Sequence, residues 1–474
     1  MKKKYVRWTL WTIASPFILF IILCILIYLP PIQNFLVDKA AVYASEATGM
    51  NISVGRISLS FPLNLVVTNV DAASPHNDTL LSVRRLQVNV QLLPLLKKQV
   101  EVDGISLQGA TVNSNDLIHG MKLNGTLGEL FISSHGVALD PETAIVNKVL
   151  LKDTDLSLCL NDTAAADTAA SDTTYWKIIL QDIDLQNVSF ALDMPLDSLS
   201  LAASLDNATL RDGLIDLHKS AYSLQTFRIK NGRVRYDSGR PSATASADSL
   251  SAGLDPSHIA LTDIGVKLDS LYYEGRNMKA IISQFVLKER SGVEIVSTEG
   301  RLVSNDKVLR VPSLKLETRD SYLELNAAMD WDALDFKKEG LVSARLMADI
   351  GKPDVVRFMG SMDEKFIRKY PSEPLRIRTG IDGDLNKLKL TTLTAELPGA
   401  LELFAKGELT SLTDSLLRGG DITLQAETKD LKFISTLAEG IEIPYGTRLE
   451  GKFTMAGPKM GTDLLLMQPE AHAV

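Results

Sequence analysis

Cysteine and histidine are scarce in this sequence, and their scarcity limits the chemistry that the chain can perform. The two cysteines are Cys24, inside a long apolar run, and Cys159, far beyond it. This pair can neither form a structural disulfide nor build a cysteine-based metal cluster. The six histidines are scattered, and none has the spacing of a zinc site.

Motifs for nucleophilic or phosphate chemistry are also missing. The sequence has no Gly-x-Ser-x-Gly elbow and no Walker loop. Two carboxylate pairs, Asp153 with Asp155 and Asp182 with Asp184, have the i, i+2 spacing that places side chains on one face of a strand. Their apolar neighbours favour an ordinary solvated face over a metal or acid–base site. We therefore expect no enzyme, no catalytic residue, no metal site and no cofactor.

The sequence has no excess of positive charge and few aromatic residues. Lys and Arg total 50 against 58 Asp and Glu, which gives a net charge of −8. No basic stripe lies beyond the N-terminus, so nucleic acid is not an expected partner. Apolar residues make up 45% of the chain but aromatic residues only 6%, so its apolar surfaces are aliphatic.

What the sequence does contain is a charge-free run over residues 8–29. As a helix, this run would span roughly 33 Å, enough to cross the core of a bilayer. Two prolines follow it and no Ala-x-Ala motif does, which favours an uncleaved anchor over a cleaved signal peptide. The aromatic residues expected at the membrane interfaces are Trp8, Trp11 and Tyr28.

The charges that flank this run predict its orientation. Lys2, Lys3, Lys4 and Arg7 precede it, and few charges follow before residue 50. Basic flanks stay in the cytoplasm, so the chain from residue 31 onward is expected to be exported. A long exported chain without disulfides is typical of a bacterial envelope protein rather than an animal ectodomain. We expect a single-pass protein of the bacterial inner membrane, with a cytoplasmic N-terminus and its bulk in the periplasm.

Beyond the run, the hydrophobic pattern predicts a mainly β protein with few short helices. The expected order is a basic tip (1–7), the membrane helix (8–29), an amphipathic helix (31–49), a first β region (50–160), a flexible low-complexity loop (161–174), β repeats (175–350), a helix (353–370), further β repeats (375–460) and a tail (461–474). One phrase recurs at 146–160, 178–193, 224–237 and 259–273, each time with an Asp, Asn or Gly pivot. We interpret these phrases as degenerate structural repeats.

Alternation in these strands sets an aliphatic face against a charged face. Two interpretations stay open: a closed sandwich, in which each apolar face packs on another sheet, or a long curled sheet whose apolar face lines a groove for acyl chains. The residues expected to line such a groove are Leu314, Leu316, Leu323, Leu325, Leu375, Ile377, Ile381, Leu388, Leu390 and Leu393.

The opening of the chain resembles a known family. A basic tip, one membrane helix, the stretch ATGMNISVGRISLSF and then PLNLVVTNV are similar to the N-terminal part of TamB proteins, within the AsmA-like superfamily. The similarity is strongest over 1–113 and looser to about residue 460. It implies a periplasmic β-taco, an elongated and curled β-sheet groove that moves phospholipid between the inner and outer membranes.

The resemblance also implies partners. TamB proteins work with an outer-membrane barrel of the Omp85 type in the assembly and secretion of outer-membrane proteins, as a translocation and assembly module. Family members are usually longer and end in a C-terminal domain that this sequence does not contain, so we expect a fragment or a truncated product. The alternative function is a membrane-anchored β-sandwich scaffold or adhesion protein with closed cores and no lipid path.

Overall fold

A computed structural model gives the fold over most of the chain. It describes residues 39, 41–42, 45–46, 48–60, 64–74, 79–91, 102–114, 120–138, 142–161, 175–239, 253–335, 338, 340–359, 364–384, 386–412, 416–436 and 443–468. Over these residues the chain forms 22 strands, two short α-helices, two 3-10 turns and a partly described helical segment before the first strand, which confirms the predicted mainly β fold class. The predicted membrane helix (8–29) and the loop at 162–174 lie outside the described residues. Within the described ones, no helix is long and apolar enough to cross a bilayer.

The chain divides into two compact units, 1–214 and 215–474. The strands of unit 1 are β1 (Asn51–Ser60), β2 (Asn64–Ala73), β3 (Thr79–Val90), β4 (Val102–Asn113), β5 (Met121–Ala138), β6 (Thr143–Leu160), β7 (Lys177–Met194) and β8 (Leu199–Asp216), the last of which crosses the boundary. Strands β1 to β6 pair antiparallel in sequence order. Strand β7 pairs parallel with β6, so the chain must return to the starting end of β6 between them.

A helical segment lies beside the first strand. The described residues between 39 and 48 are helical, within the range of the predicted amphipathic helix. The Ser45 hydroxyl accepts a hydrogen bond from the backbone N–H of Ile52 at 3.0 Å. Ile52 belongs to β1, which pairs only with β2 among the described strands. The segment therefore occupies part of an edge that would otherwise present free backbone groups.

Left-handed residues interrupt the long strands of unit 1 at one level. Asn69, Asp153 and Asn187 have φ values of 54°, 49° and 51°, and Gly109 has a φ of 61°. Asn, Asp and Gly tolerate this conformation better than other residues. It explains the pivots of the repeated phrases, since Asp153 and Asn187 are two of them. The kink in β4 falls at Gly109, and the strand runs unbroken through Gly104.

These pivots line up across the sheet. The registers on either side place the following residues opposite one another on β1 to β7: Gly55, Asn69, Arg84, Gly109, Gly128, Asp153 and Asn187. We call this line the crease. Each strand thus has one additional residue at this level, so the side chains that point to a given face switch between odd and even positions beyond it. Because every one of these strands has such a residue, the pairing register between strands does not shift. Extra residues of this kind bend strands and increase their twist, so the crease favours a curled sheet.

Two glycines at the crease make room for their left-handed neighbours. A Cβ atom on Gly55 would lie 3.0 Å from the Asn69 Cβ, and one on Gly128 would lie 2.8 Å from the Asp153 Cβ. Both contacts are closer than Cβ atoms normally approach. Asn69 and Asp153 therefore each have, on one neighbouring strand, a glycine at the same level that has no side chain to obstruct them.

Unit 2 holds fourteen strands and both helices. Its strands are β9 (Ala221–Leu224), β10 (Thr226–Ser238), β11 (His258–Glu274), β12 (Asn277–Glu289), β13 (Glu294–Ser304), β14 (Val308–Thr318), β15 (Tyr322–Asp330), β16 (Val342–Ile350), β17 (Leu375–Gly383), β18 (Lys387–Leu397), β19 (Leu401–Thr410), β20 (Gly419–Thr428), β21 (Arg448–Ala456) and β22 (Lys459–Met467). The helices are α1 (Lys352–Met359) and α2 (Glu364–Lys369), and the 3-10 turns are Trp331–Leu334 and Ile434–Thr436.

The strands of unit 2 form one antiparallel meander. Strands β9 and β10 both pair with β11, and β11 to β22 then follow one another in sequence order. Asn231 and Asp263, pivots of the other two repeated phrases, have φ values of 52°. Each of the four recurring phrases therefore contains one left-handed Asp or Asn.

Two predicted segments differ from the structure. The helix predicted over 353–370 is described as the two elements α1 and α2, and residues 360–363 lie outside the described part. The predicted tail is wrong for residues 461–467, because they form most of β22. Gly457, at a φ of 60°, turns the chain tightly enough for β22 to pair with β21. Leu464 and Leu466 then continue the apolar alternation.

In a meander, successive connections alternate between the two ends of the strands. We call one end the capped rim, because its connections include both helices and the second 3-10 turn; its connections are 290–293, 319–321, 351–374, 398–400 and 429–447. We call the other end the open rim; its connections are 275–276, 305–307, 331–341, 384–386, 411–418 and 457–458.

A closed core lies at the capped rim. Phe366 of α2 contacts Tyr370 and Phe433, with ring centroids 5.6 and 5.7 Å away. Tyr370 and Phe433 lie 5.2 Å apart in an edge-to-face arrangement, a favourable geometry for aromatic rings. Leu397, Ala400 and Leu431 complete the buried cluster. Burial raises the pKa of the Tyr370 phenol above its usual value.

Candidate functional site

The strand registers of unit 2 assemble continuous apolar rows on one face of the sheet. Residues paired across antiparallel strands project to the same face, so each row can be followed from strand to strand. One row consists of Leu316, Leu323, Ala348, Ile377, Ala395, Leu403, Ala426, Leu449 and Leu466. A parallel row consists of Leu314, Leu325, Leu346, Thr379, Leu393, Ala405, Leu424, Gly451 and Leu464. Together they make an aliphatic surface nine strands wide, which we call the trough face.

All ten residues predicted to line a groove lie on the trough face. Six belong to the two rows above. Ile381 pairs with Leu390, Leu388 continues the same side of β18, and Leu375 lies two residues before Ile377 on β17. The structure thus brings together residues that are up to 79 positions apart in sequence (393 − 314).

The ten residues differ in what packs against their side chains. Each is only half-buried, although a facing sheet in a sandwich would bury them. Leu375 differs from the others because it packs against the closed cluster at the capped rim. Leu397, on the same face of β18 as Leu390, is 4% exposed inside that cluster. The trough face is therefore sealed at the capped rim and partly open elsewhere.

Unit 1 carries a matching apolar surface that the sequence analysis did not single out. On one side of the crease, a row of seven aliphatic residues crosses seven strands: Ile57, Val67, Leu86, Leu107, Leu130, Leu151 and Leu185. All seven are half-buried. Among the described residues of unit 1, the buried apolar side chains are Ala72, Leu80, Val83 and Ala208. Four residues, two of them alanines, are too few to form a closed sandwich core.

The opposite face of the unit 2 sheet is polar and paired. Arg378 lies 2.7 Å from Asp349, and Lys387 lies 3.1 Å from Glu408. These pairs link neighbouring strands and are partly exposed, so each contributes little to stability. A shallow cavity of about 620 Å³ lies between strands β18 and β21. Its charged wall residues, such as Glu427, face partners on adjacent strands, which is the ordinary arrangement of a solvated sheet face.

The paired carboxylates have structural partners. The Arg211 guanidinium contacts both Asp182 and Asp184, the latter at 3.1 Å. Asp153 accepts a hydrogen bond from the Asn187 amide at 2.9 Å, across the crease. Across the part of the chain that the structure describes, no group of three His, Cys, Asp or Glu residues could hold a metal ion. The carboxylates therefore tie strands together.

A buried carboxylate fixes the first helix at the capped rim. Asp354 of α1 is fully buried and accepts hydrogen bonds from the hydroxyls of Thr318 and Ser321, the latter at 2.6 Å. Arg357 donates to Asp354 at 3.0 Å and to Asp320 at 2.9 Å. The β14–β15 turn is thus bonded to two residues of α1, the carboxylate of Asp354 and the guanidinium of Arg357. This contact cannot be predicted from the sequence, because Thr318 and Asp354 lie 36 residues apart.

The predicted membrane residues lie outside the described part of the chain. They are Lys2, Lys3, Lys4, Arg7, Trp8, Trp11 and Tyr28, and their roles remain sequence-based predictions. Neither the comparison with protein-family models nor the comparison with curated proteins found a match for this chain.

Proposed function

We propose that this protein holds the acyl chains of phospholipids along a curled, apolar β-sheet groove. In this proposal an N-terminal helix anchors the chain in the bacterial inner membrane, and the groove carries lipid through the periplasm towards the outer membrane. Support for outer-membrane protein assembly, with an Omp85-type barrel as partner, is part of the same proposal through the resemblance to TamB.

One observation carries the proposal. The trough face is a broad, mainly aliphatic surface whose leucines are only partly buried over most of its width. Exposed apolar area costs about 25 cal/mol per Å² relative to burial. Large apolar patches on soluble proteins usually mark binding surfaces. An acyl chain could lie along such rows and remove that area from water without a specific polar contact.

The crease supports a curled shape. A flat, half-exposed aliphatic sheet would invite sheet-on-sheet aggregation. In this proposal, bending β1 to β7 at the crease turns the apolar row of unit 1 inward, which would shield that row from other protein molecules. Thr379 is the only residue with a polar side chain in the two rows, which also fits a conduit, since a bound lipid could slide with few hydrogen bonds to break.

The proposal is tested by photo-crosslinking on the full-length chain. A crosslinking amino acid at Leu390, on the trough face, is expected to capture phospholipid in cells. The matched control is Lys389, one residue away and on the opposite face. Lipid extraction and native mass spectrometry of the purified protein should then identify the lipid class. Equal capture at both positions, or at neither, would contradict the proposal.

The closed-sandwich alternative makes the opposite prediction. A scaffold or adhesion protein with sealed cores should co-purify with no lipid and should show no crosslink from either face. The one observation on its side is the sealed cluster around Phe366, which shows that part of the trough face is closed by this chain's own residues.

A further inference from the structure

The two rims of unit 2 differ in what they expose. At the capped rim, helices and an aromatic cluster bury several apolar side chains, although Phe358 and Tyr445 stay exposed. At the open rim, Leu416 and Leu417 are 76% and 71% exposed, and Leu334 and Leu341 are also largely exposed. Four leucines projecting from two connections of one rim are more than the isolated exposed leucine that needs no explanation.

The connections of the open rim are tied to one another. The Trp331 backbone N–H donates to the Lys307 carbonyl at 2.8 Å, and its indole N–H donates to the Asn305 carbonyl at 2.8 Å. Gly457 N–H donates to the Arg418 carbonyl at 2.7 Å, and Arg418 Nε returns a bond to the Gly457 carbonyl at 3.1 Å. These contacts tie Trp331, which precedes Leu334 in the sequence, and Arg418, which follows Leu417, to the neighbouring turns.

Basic residues recur along the same rim. Each of its six connections contains or directly adjoins a Lys or Arg: Arg276, Lys307, Lys338, Lys387, Arg418 and Lys459. Acidic residues are interspersed, and Lys338 pairs with Asp332 at 2.9 Å. The Arg276 guanidinium lies 5.4 Å from the centroid of the Trp331 ring. Leucine, tryptophan and basic side chains together are typical of surfaces that lie at the headgroup level of a membrane.

The spacing of the leucines favours a lipid surface over a protein partner. The two leucine-bearing connections are separated by four strand spacings, which is roughly 19 Å at about 4.8 Å per strand. A stable protein interface is a contiguous patch of about 800 Å² on each partner. A fluid bilayer needs no such continuity, because separate apolar tips can each enter it.

We propose that the open rim of unit 2 docks on a phospholipid surface, with Leu334, Leu341, Leu416 and Leu417 entering the acyl boundary. The basic residues of the rim then contact lipid phosphates, and the interspersed carboxylates limit the attraction to anionic lipids. The docked rim adjoins the trough face, since Leu409 and Met455 are trough-face residues at that end of their strands. Docking goes beyond the proposed groove and does not require that the groove carry lipid.

The test places an environment-sensitive fluorophore on the full-length protein in nanodiscs, in a background with Cys24→Ser and Cys159→Ser. Label at Leu417→Cys is expected to brighten several-fold and shift to the blue when vesicles of phosphatidylethanolamine and phosphatidylglycerol are added. The matched control is Tyr445→Cys at the capped rim, where the side chain is equally exposed, at 70%. An equal response at both positions, or none at 417, would overturn the proposal.

A second variant separates docking from the groove. Leu416→Asp with Leu417→Asp should lower vesicle binding roughly tenfold or more, because two apolar insertions are lost and two charges oppose them. The melting temperature and the lipid crosslink at Leu390 should not change. Unchanged vesicle binding would refute the docking rim. If a crosslinker at Leu390 captures no lipid in the protein without these aspartates, while that protein still binds vesicles, the groove is refuted. The docking proposal would then still hold.

Discussion

Two leucines on strand β18 offer a direct test of which part of the trough face is open. Leu390 is half-buried in the trough, whereas Leu397 is 4% exposed in the closed cluster. They share the same residue type, strand and face, so they differ mainly in how completely other residues bury them. Replacing each with aspartate therefore compares an open apolar surface with a sealed core.

The expected costs differ severalfold. Burying a leucine completely is worth about 1.5–3 kcal/mol, so a half-buried Leu390 loses roughly 1 kcal/mol, and the low strand propensity of aspartate adds up to about 1 kcal/mol. At Leu397, truncation alone costs about 2–5 kcal/mol, and burying a carboxylate without a partner adds several more. Leu390→Asp should therefore lower the free energy of unfolding by about 1–2 kcal/mol, and Leu397→Asp by about 5 kcal/mol or more.

Thermal unfolding followed by circular dichroism measures the difference. At roughly 2–4 °C per kcal/mol for a unit of this size, Leu390→Asp should melt only a few degrees early, while Leu397→Asp should unfold or be degraded. Lipid co-purification should be lost in Leu390→Asp despite its native fold. If Leu390→Asp melts as early as Leu397→Asp, the trough is a sealed core and the groove interpretation is refuted.

Three further perturbations probe the crease and the cap. Asp153→Val should destabilise unit 1 by about 1–2 kcal/mol, because a β-branched residue is strained at a φ of 49°. Asp153→Gly should cost much less. Urea denaturation compares the two variants, and equal costs would mean that the left-handed backbone is unimportant. Phe366→Ala should lower the free energy of unfolding by about 3–5 kcal/mol. Phe358→Ala, at an exposed position of α1, should change it by no more than about 0.5 kcal/mol. Similar melting temperatures would show that the aromatic cluster does not stabilise the capped rim. Burial raises the pKa of Tyr370 in the folded state, so the stability it contributes is present below its unfolded pKa of about 10 and is lost as the pH rises through the folded value. Tyr370→Phe should flatten this alkaline loss in a pH series of melting curves, and an unchanged slope would assign the loss to other groups.

The pivots show how far local sequence reasoning reaches. The recurring phrases, each with an Asp, Asn or Gly pivot, predicted degenerate structural repeats, and each phrase contains one Asp or Asn with a positive φ value. The alignment of pivots into a crease was not visible, because it depends on registers between strands. The same limitation applies to β4, which runs unbroken from Val102 to Asn113 and has its left-handed residue at Gly109.

The end of the chain shows a different limitation. Residues 461–467 contain Leu464, Leu465 and Leu466 in succession, which breaks strict alternation and hides a strand. Pairing with β21 supplies what the local pattern lacks, since the backbone groups of β22 form hydrogen bonds with a neighbouring strand. Strand propensity depends on such neighbours more than helix propensity does.

The sequence by itself determined the class of the fold and the aliphatic face of its strands, because side-chain alternation with a period of two is a local property of an extended chain. It also determined the ten residues that share the trough face. Only the tertiary structure decided where that face is sealed. Phe366 and Phe433 meet over Leu397 from distant segments, and no local pattern encodes a contact that depends on how the connections between strands pack. The same leucine-rich face is thus closed at one rim and partly open elsewhere.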